Sequence, residues 1–288
     1  MSADRVPAWF LAVLSIVAVQ LGAALSTNLF DSIGPAGVTW LRHSFGALIF
    51  LGIRRPRLRG RTRGELAAAV GLGVITGLTT VSFITAISRI PLGTTVAIEF
   101  LGPLVVSVLG ARSLTRVAWP LLAFIGVLLL TEPWANAVDA PGIAFAGAAA
   151  VGWGAYILLT ARIGDRFEGL EGLSITIPIA AVTAAVFGIP QAAGHLTAPV
   201  VLATLGLALL QPVAVFALEL NALRRLTTTA FGTLMALEPA AGMLVGALVL
   251  SQIPSPLQVA AVALIVVAGI GATRGGSRPA PIAEVLVP

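Results

Sequence analysis

The amino-acid sequence predicts an all-α membrane protein with ten transmembrane helices, arranged as two inverted five-helix repeats. Three observations predict this fold: the composition, a series of long apolar runs, and an internal repeat of about half the chain length. The 288 residues are 58% hydrophobic and 10% charged, whereas soluble domains carry about 25% charged residues. The mean hydropathy is +1.01. The chain contains no cysteine, which excludes disulfides and cysteine-based metal or redox sites.

The apolar runs are long enough to cross a bilayer, which requires about 17–25 mostly apolar residues per helix. The first five predicted spans are 8–29, 37–53, 66–88, 91–111 and 116–132. The last five are 141–162, 170–190, 198–221, 226–250 and 256–273. The fourth and ninth spans contain Pro103 and Pro239, and each proline predicts a kink because it removes a backbone donor and frees a carbonyl one turn earlier.

The basic residues predict the orientation of the spans. All 17 are arginine, and a cytoplasmic N-terminus places all of them on the cytoplasmic side except Arg42, within a span, and Arg89, on the outer side. This distribution follows the positive-inside rule and predicts that both termini are cytoplasmic. The arginines lie in short loops between apolar runs, so the basic charge predicts no nucleic-acid partner.

Two pairs of segments repeat within the chain. "AVQLGA" at 18–23 matches "AVGWGA" at 150–155, and "AISRIPLGTTVAIEFLGP" at 86–103 matches "ALRRLTTTAFGTLMALEP" at 222–239. The alternative is chance similarity between apolar segments, but Gly and Pro positions contribute to the match. An odd number of helices per repeat inserts the halves in opposite orientations, as in many secondary transporters.

These repeats predict the domain organisation. The first five-helix repeat covers 1–136 and the second covers 137–273. Residues 274–288 are rich in Pro and Gly and predict a disordered cytoplasmic tail.

Four segments carry a resemblance to a known family: "GPAGVTWLRHSFGALIF" (34–50), "PLGTTVAIEFLGPLVV" (91–106), "GWGAYILL" (152–159) and "FGTLMALEPA" (231–240). They resemble the EamA-type, ten-helix branch of the drug/metabolite transporter superfamily, and within it the bacterial threonine/homoserine exporters. The resemblance implies efflux of small metabolites, often amino acids, across the bacterial inner membrane in exchange for protons.

Two loops depart from the family pattern. Family members often carry Gly-Glu after the fourth and ninth spans, where this chain reads "GARSLT" (110–115) and "LSQIPS" (250–255). Gln252 stands where the resemblance implies a carboxylate. These loop glutamates therefore cannot carry function in this chain.

Two carboxylates within the spans are candidates for substrate binding and proton coupling, because an ionisable group in a span is costly and usually faces the bundle interior. Glu99 shares a helix face with Thr95 and Gly102, which predicts a small, polar cavity wall. Glu238 directly precedes Pro239. The alternative for Glu99 is a structural carboxylate held by Arg42. The alternative for Glu238 is that the kink at Pro239 is needed only for packing.

Four further residues are candidates for substrate binding. The planar guanidinium of Arg42 fits a substrate carboxylate, or forms a structural ion pair with Glu99. Trp153 and Tyr156 lie one turn apart in the sixth span, and Gln20 lies in the matching part of the first. These three side chains either line a cavity or pack.

The sequence therefore predicts a secondary transporter that exports small amino acids by alternating access and proton exchange. The alternatives are export of another small metabolite or drug-like cation, and a passive channel. An enzyme is not expected, because the chain has no HExxH or GxSxG motif and no cysteine. We expect no cofactor and no metal; the predicted partners are a small-molecule substrate, protons and the lipid bilayer, with the chain a monomer or a homodimer.

Overall fold

A computed structural model describes residues 6–53, 55–56, 62–108, 114–132, 139–163, 169–223, 225–226 and 228–275. Within these ranges the chain is helical and contains no β-strand. The helices before residue 132 are α1 (Ala8–Ser26), α2 (Phe30–Ile53), α3 (Arg63–Ile87), α4 (Leu92–Glu99), α5 (Leu101–Val108) and α6 (Leu114–Thr131). The later helices are α7 (Ala140–Ile163), α8 (Gly169–Ala192), α9 (Ala198–Ala208), α10 (Val215–Leu223), α11 (Thr228–Met235), α12 (Glu238–Val249) and α13 (Pro256–Gly275).

The helical segments coincide with the predicted spans, and the all-α prediction is confirmed for the described part of the chain. Five helical stretches are by themselves long and apolar enough to cross a membrane: Ala8–Ile53, Arg63–Ile87, Ala140–Thr160, Glu171–Ala192 and Ala198–Glu219. The shorter apolar helices are Leu92–Val106, Val117–Thr131, Thr233–Val249 and Pro256–Ala272. Most of the predicted tail, 276–288, lies outside the described residues.

The first helical stretch is broken at Gly34. Its 46 residues would span about 69 Å at about 1.5 Å per residue, more than twice the hydrocarbon core of about 30 Å. Gly34 has φ 67° and ψ 163°, a left-handed conformation that glycine adopts without steric cost. The Ala36 N–H, exposed by this break, donates to Oε1 of Gln191 at 2.8 Å.

Both predicted proline kinks are present as helix breaks. The fourth span divides at Phe100 into α4 and α5, and the ninth divides at Ala236–Leu237 into α11 and α12. Each break lies about one turn before its proline, as expected from the missing donor and the clash with the preceding carbonyl. Glu99 ends α4 and Glu238 begins α12, so both candidate carboxylates lie at helix ends next to a break.

The two broken spans pack closely against each other through glycines. A methyl group added to Gly93 on α4 would lie 2.9 Å from Cα of Met243 on α12, and one added to Gly242 would lie 2.9 Å from a methyl of Val96. Small residues at helix crossings allow this approach inside membranes, where dispersion contacts hold helices together. The contact joins the first part of the chain to the second.

One end of the bundle is closed by polar contacts between the two parts of the chain. Gln252 accepts a hydrogen bond from the Leu92 N–H at 3.0 Å, and so satisfies a free donor at the start of α4. Arg89 forms an ion pair with Asp139 at 2.9 Å. Gln191, which accepts from Ala36, lies at this same end. We call these three contacts the closed end.

The outer surface of the bundle is strongly apolar. Leu48 on α2 is 66% exposed, Val151 on α7 is 74% exposed and Leu248 on α12 is 75% exposed. Such side chains spread over the helices would promote aggregation in water, but lipid tails solvate them. The exposed faces are therefore consistent with helices in contact with lipid.

Candidate functional site

A cavity of about 260 Å³ lies between the helices and gathers most of the predicted site residues. Its wall includes residues of α1, α2, α3, α7 and α8, together with the ends of α4 and α12 and the turn between α9 and α10. The lining residues are Val19, Gln20, Arg42, Thr76, Thr79, Thr80, Phe83, Glu99, Trp153, Tyr156, Leu173, Thr176, Ile177, Gln211 and Glu238.

Arg42 supplies the positive charge of the cavity. Its side chain is 2% exposed, and Nη1 donates to Oε1 of Gln211 at 3.2 Å. The buried Nε has no hydrogen-bond partner. Arg42 forms no ion pair with any described carboxylate, so the alternative of a structural pair with Glu99 is not observed. The reason is that α2 directs the guanidinium toward the turn that contains Gln211. A buried cation held only by a neutral amide is suited to receive an anionic group.

Glu99 and Glu238 are the two acidic residues of the cavity wall. Both side chains line the cavity. Neither forms a hydrogen bond or an ion pair with a described residue. Glu99 is the last residue of α4 and Glu238 is the first residue of α12, so each lies next to a helix break. Paired carboxylates without donors can accept a cation or a proton.

Gln20, Trp153 and Tyr156 also line the cavity. Gln20 is 2% exposed, and its Oε1 has no hydrogen-bond partner. The indole of Trp153 packs edge-on against the ring of Phe100, with centroids 6.3 Å apart. This contact ties the aromatic wall of the cavity to the break that ends α4.

Thr95 and Gly102 do not form the cavity wall that their spacing predicts. Thr95 is fully buried, and its hydroxyl donates to the Pro91 carbonyl at 3.1 Å. A side chain on Gly102 would collide with the Ala150 carbonyl oxygen of α7. Neither residue lines the cavity, because this face of the fourth span packs against neighbouring helices. Glu99, next to the break, lines the cavity.

Comparisons with known proteins identify the family. The chain is 33% identical to the threonine/homoserine exporter RhtA of Escherichia coli (strain K12), over 99% of this chain and 98% of that protein. It is also 33% identical to the threonine/homoserine exporter RhtA of Salmonella typhimurium (strain LT2), with the same coverage. The model of the EamA-like transporter family matches residues 140–273.

The chain belongs to the EamA-like transporter family.

This membership confirms the resemblance inferred from the sequence segments. It also confirms the expectation of a transporter and not an enzyme, because the curated relatives are exporters. A solved crystal structure superimposes on this EamA-like chain with a TM-score of 0.61 and 20% identity, over 94% of this chain and 98% of that one. That likeness shows a shared fold.

The sequence reasoning missed several cavity residues of this EamA-like chain. Thr76, Thr79 and Thr80 line one wall, and their i, i+3, i+4 spacing in α3 is a polar face that could have identified them. Gln211 is a lone amide before Pro212 in an apolar run, and it was also detectable. Its contact with Arg42 joins residues far apart in the chain, and no local pattern predicts that partner.

Two polar residues, Gln252 and Glu219, lie outside the cavity wall. Gln252 caps the start of α4 at the closed end. Glu219 on α10 is not a lining residue of the cavity.

Proposed function

We propose that this protein is a secondary transporter of the bacterial inner membrane that exports small amino acids of the threonine or homoserine type. The observation that carries the proposal is a buried guanidinium in one cavity with two carboxylates, Arg42 with Glu99 and Glu238. The full-length likeness to threonine/homoserine exporters supports the same substrate class.

The charge pattern of the cavity complements a zwitterion. The α-carboxylate of an amino acid pairs with Arg42, and its ammonium pairs with the Glu99 and Glu238 carboxylates. A solute with only one charge leaves a buried counter-charge unsatisfied, at a cost of several kcal/mol, about 2–7 for a polar group and more for an ion. Gln20, Trp153 and Tyr156 cover the remaining part of the substrate.

The cavity size favours a small solute over the alternative of a drug-like cation. Its volume of about 260 Å³ lies below the range of about 300–1,000 Å³ that is typical of drug-sized ligands. A second argument against a lone cation is Arg42, whose charge repels it. The drug-like cation remains the second candidate because the two carboxylates would attract it.

Alternating access is supported by the helix breaks and by the closed end. In this proposal ten spans form two inverted halves, 1–136 and 137–273, with both termini cytoplasmic. Breaks at Phe100 and Ala236 occupy matched positions of the repeat, and such breaks border substrate sites in transporters. The cavity reaches Leu173, near the start of α8, which is the end opposite the closed end. The described conformation is then open toward the cytoplasm.

Proton exchange is proposed for Glu99, with Glu238 as its coupled partner. Two carboxylates in one cavity are neutralised either by a proton or by a substrate ammonium, and occupation by one opposes the other. Such competition couples outward movement of the amino acid to inward movement of a proton.

The test is a transport panel. Cells that overproduce the protein are loaded with dipeptides, and the release of each amino acid is followed by mass spectrometry. Release of threonine and homoserine several-fold faster than from cells producing an Arg42→Ala variant is the expected result. Movement of lipophilic cations alone would favour the second candidate, and equal rates for both strains would reject the proposed site.

A further inference from the structure

The eighth span is broken at a residue that faces the cavity. Helix α9 ends at Ala208 and α10 begins at Val215, and a widened turn, Leu209–Ala214, lies between them. Gln211 in this turn has the non-helical angles φ −145° and ψ 118°. Irregular backbone at membrane depth is tolerated where it is buried in protein or lines a cavity. Gln211 meets this condition, since its side chain lines the cavity.

Two glycines on neighbouring helices make room for this turn. A methyl group on Gly22 of α1 would lie 3.1 Å from Oε1 and 3.4 Å from Cβ of Gln211. A methyl group on Gly46 of α2 would lie 3.1 Å from Cγ of Pro212. Both helices therefore approach the turn closely, and the Gln211 amide is held in a defined position.

That position places the amide oxygen on the guanidinium of Arg42. Nη1 of Arg42 donates to this oxygen at 3.2 Å. An amide oxygen is a neutral acceptor, whereas a carboxylate forms a shorter, charge-assisted and often bidentate pair with a guanidinium. A substrate carboxylate therefore binds Arg42 more strongly than the Gln211 amide does, and can displace it.

We infer that Gln211 is a positioning residue whose amide oxygen occupies the place on Arg42 that the substrate carboxylate takes. The inference rests on the proposed function, which supplies a substrate with an α-carboxylate. Substrate binding then releases Gln211 from Arg42. Because Gln211 belongs to the break between α9 and α10, the release frees that break to move. The substrate carboxylate thereby acts on the eighth span as well as on Arg42.

The first variant for the test is Gln211→Glu, which places a permanent carboxylate next to Arg42. It should raise the KM for threonine export about tenfold or more, because the substrate then has to displace a charged competitor. Gln211→Ala removes the competitor. It should lower KM, and it should also lower the maximal rate because Arg42 loses its support. Thermal stability in detergent and the amount of protein in the membrane are measured for each variant.

A double-variant cycle separates this role from a structural one. In an Arg42→Gln background, Gln211→Glu should change KM less than about twofold, because the guanidinium that holds the new carboxylate is gone. Equal increases of KM in Gln211→Glu and Gln211→Ala, or an undiminished increase in the Arg42→Gln background, would overturn the inference. If Gln211→Glu does not reach the membrane, the KM of Gln211→Ala decides, and a raised KM rejects it. A wild-type protein that moves no amino acid rejects the proposed function itself.

Discussion

At the scale of single residues, the cavity is unusual because its ionisable side chains Arg42, Glu99 and Glu238 form no ion pair with a described residue. Arg42 is held by an amide, and the carboxylates of Glu99 and Glu238 have no hydrogen-bond partner among the described residues. Burying a charge without a partner destabilises a protein, so a fold rarely retains one without a functional reason. The missing partners are supplied, in our proposal, by an amino acid and a proton in turn.

Replacement of Glu99 by Gln tests the proton-coupling role at this scale. Glu99→Gln keeps the shape of the side chain but removes its titration, so export should fall to background and lose its dependence on an imposed proton gradient. Proteoliposomes loaded with labelled threonine and subjected to a pH jump provide the measurement. Asp31→Asn is the control, because Asp31 is an exposed carboxylate of α2 that does not line the cavity.

The result for Glu238→Gln assigns the two roles. Loss of gradient dependence in Glu238→Gln with retention in Glu99→Gln would exchange the roles of the two carboxylates. Retention in both variants would contradict proton coupling through this cavity.

At the scale of secondary-structure elements, helix breaks border the site, and glycines allow neighbouring helices to pack closely. The break at Phe100 lies next to Glu99, which lines the cavity, while the following turn of α5 crosses α7 at Gly102. The crossing has no room for a side chain, because a Cβ at residue 102 would meet the Ala150 carbonyl oxygen. Gly102 therefore has a packing role, and the helix crossing in turn supports the end of α4.

Replacement of Gly102 by Ala tests this packing role. The added methyl overpacks the crossing, and overpacking costs about 1–3 kcal/mol, so the melting temperature in detergent should fall by several degrees. Gly147→Ala on α7 is the control, because nothing lies within 4 Å of its added Cβ and alanine is the better helix former. Equal melting temperatures for the two variants would contradict the tight crossing.

At the scale of the whole molecule, polar contacts join the two parts of the chain at the closed end, while the cavity extends toward the other end. Two glutamines, Gln191 and Gln252, accept hydrogen bonds from the backbone at helix starts in the first part. Arg89 in the first part pairs with Asp139 at the start of the second. In the proposed alternating access, these contacts break when the closed end opens.

The Arg89–Asp139 pair predicts a pH-dependent contribution to stability. Hydrogen bonds from the Arg89 guanidinium, and a further one from the Gly142 N–H, lower the pKa of Asp139 below its usual value. A lowered folded-state pKa gives stability that is present above the unfolded pKa, about 3.9, and is lost as pH falls through the folded value.

Asp139→Asn should therefore lower the melting temperature in detergent at pH 7, and the difference from wild type should shrink as the pH is lowered below about 4. Arg89→Gln should reproduce the loss, and the double variant should add little to it. A difference that stays constant from pH 7 to acidic pH would show that the ion pair contributes nothing to stability.

The sequence by itself determined the features that depend on local physics. The length of the apolar runs requires helices in a bilayer, and Pro103 and Pro239 break their helices wherever these pack, because proline lacks a donor. Arg42, Glu99 and Glu238, whose burial in a span costs free energy, were identifiable for the same reason: an ionisable group in an apolar run needs an interior position.

Only the tertiary structure decided which faces of these helices meet. Thr95 and Gly102 have the spacing of a cavity wall, yet a neighbouring helix covers that face, and the threonines of α3 form the wall instead. Arg42 is bound by Gln211, 169 residues away, and not by Glu99. Spacing along a helix shows which residues share a face, but the neighbour that covers the face is set by packing between distant segments, which no local pattern encodes.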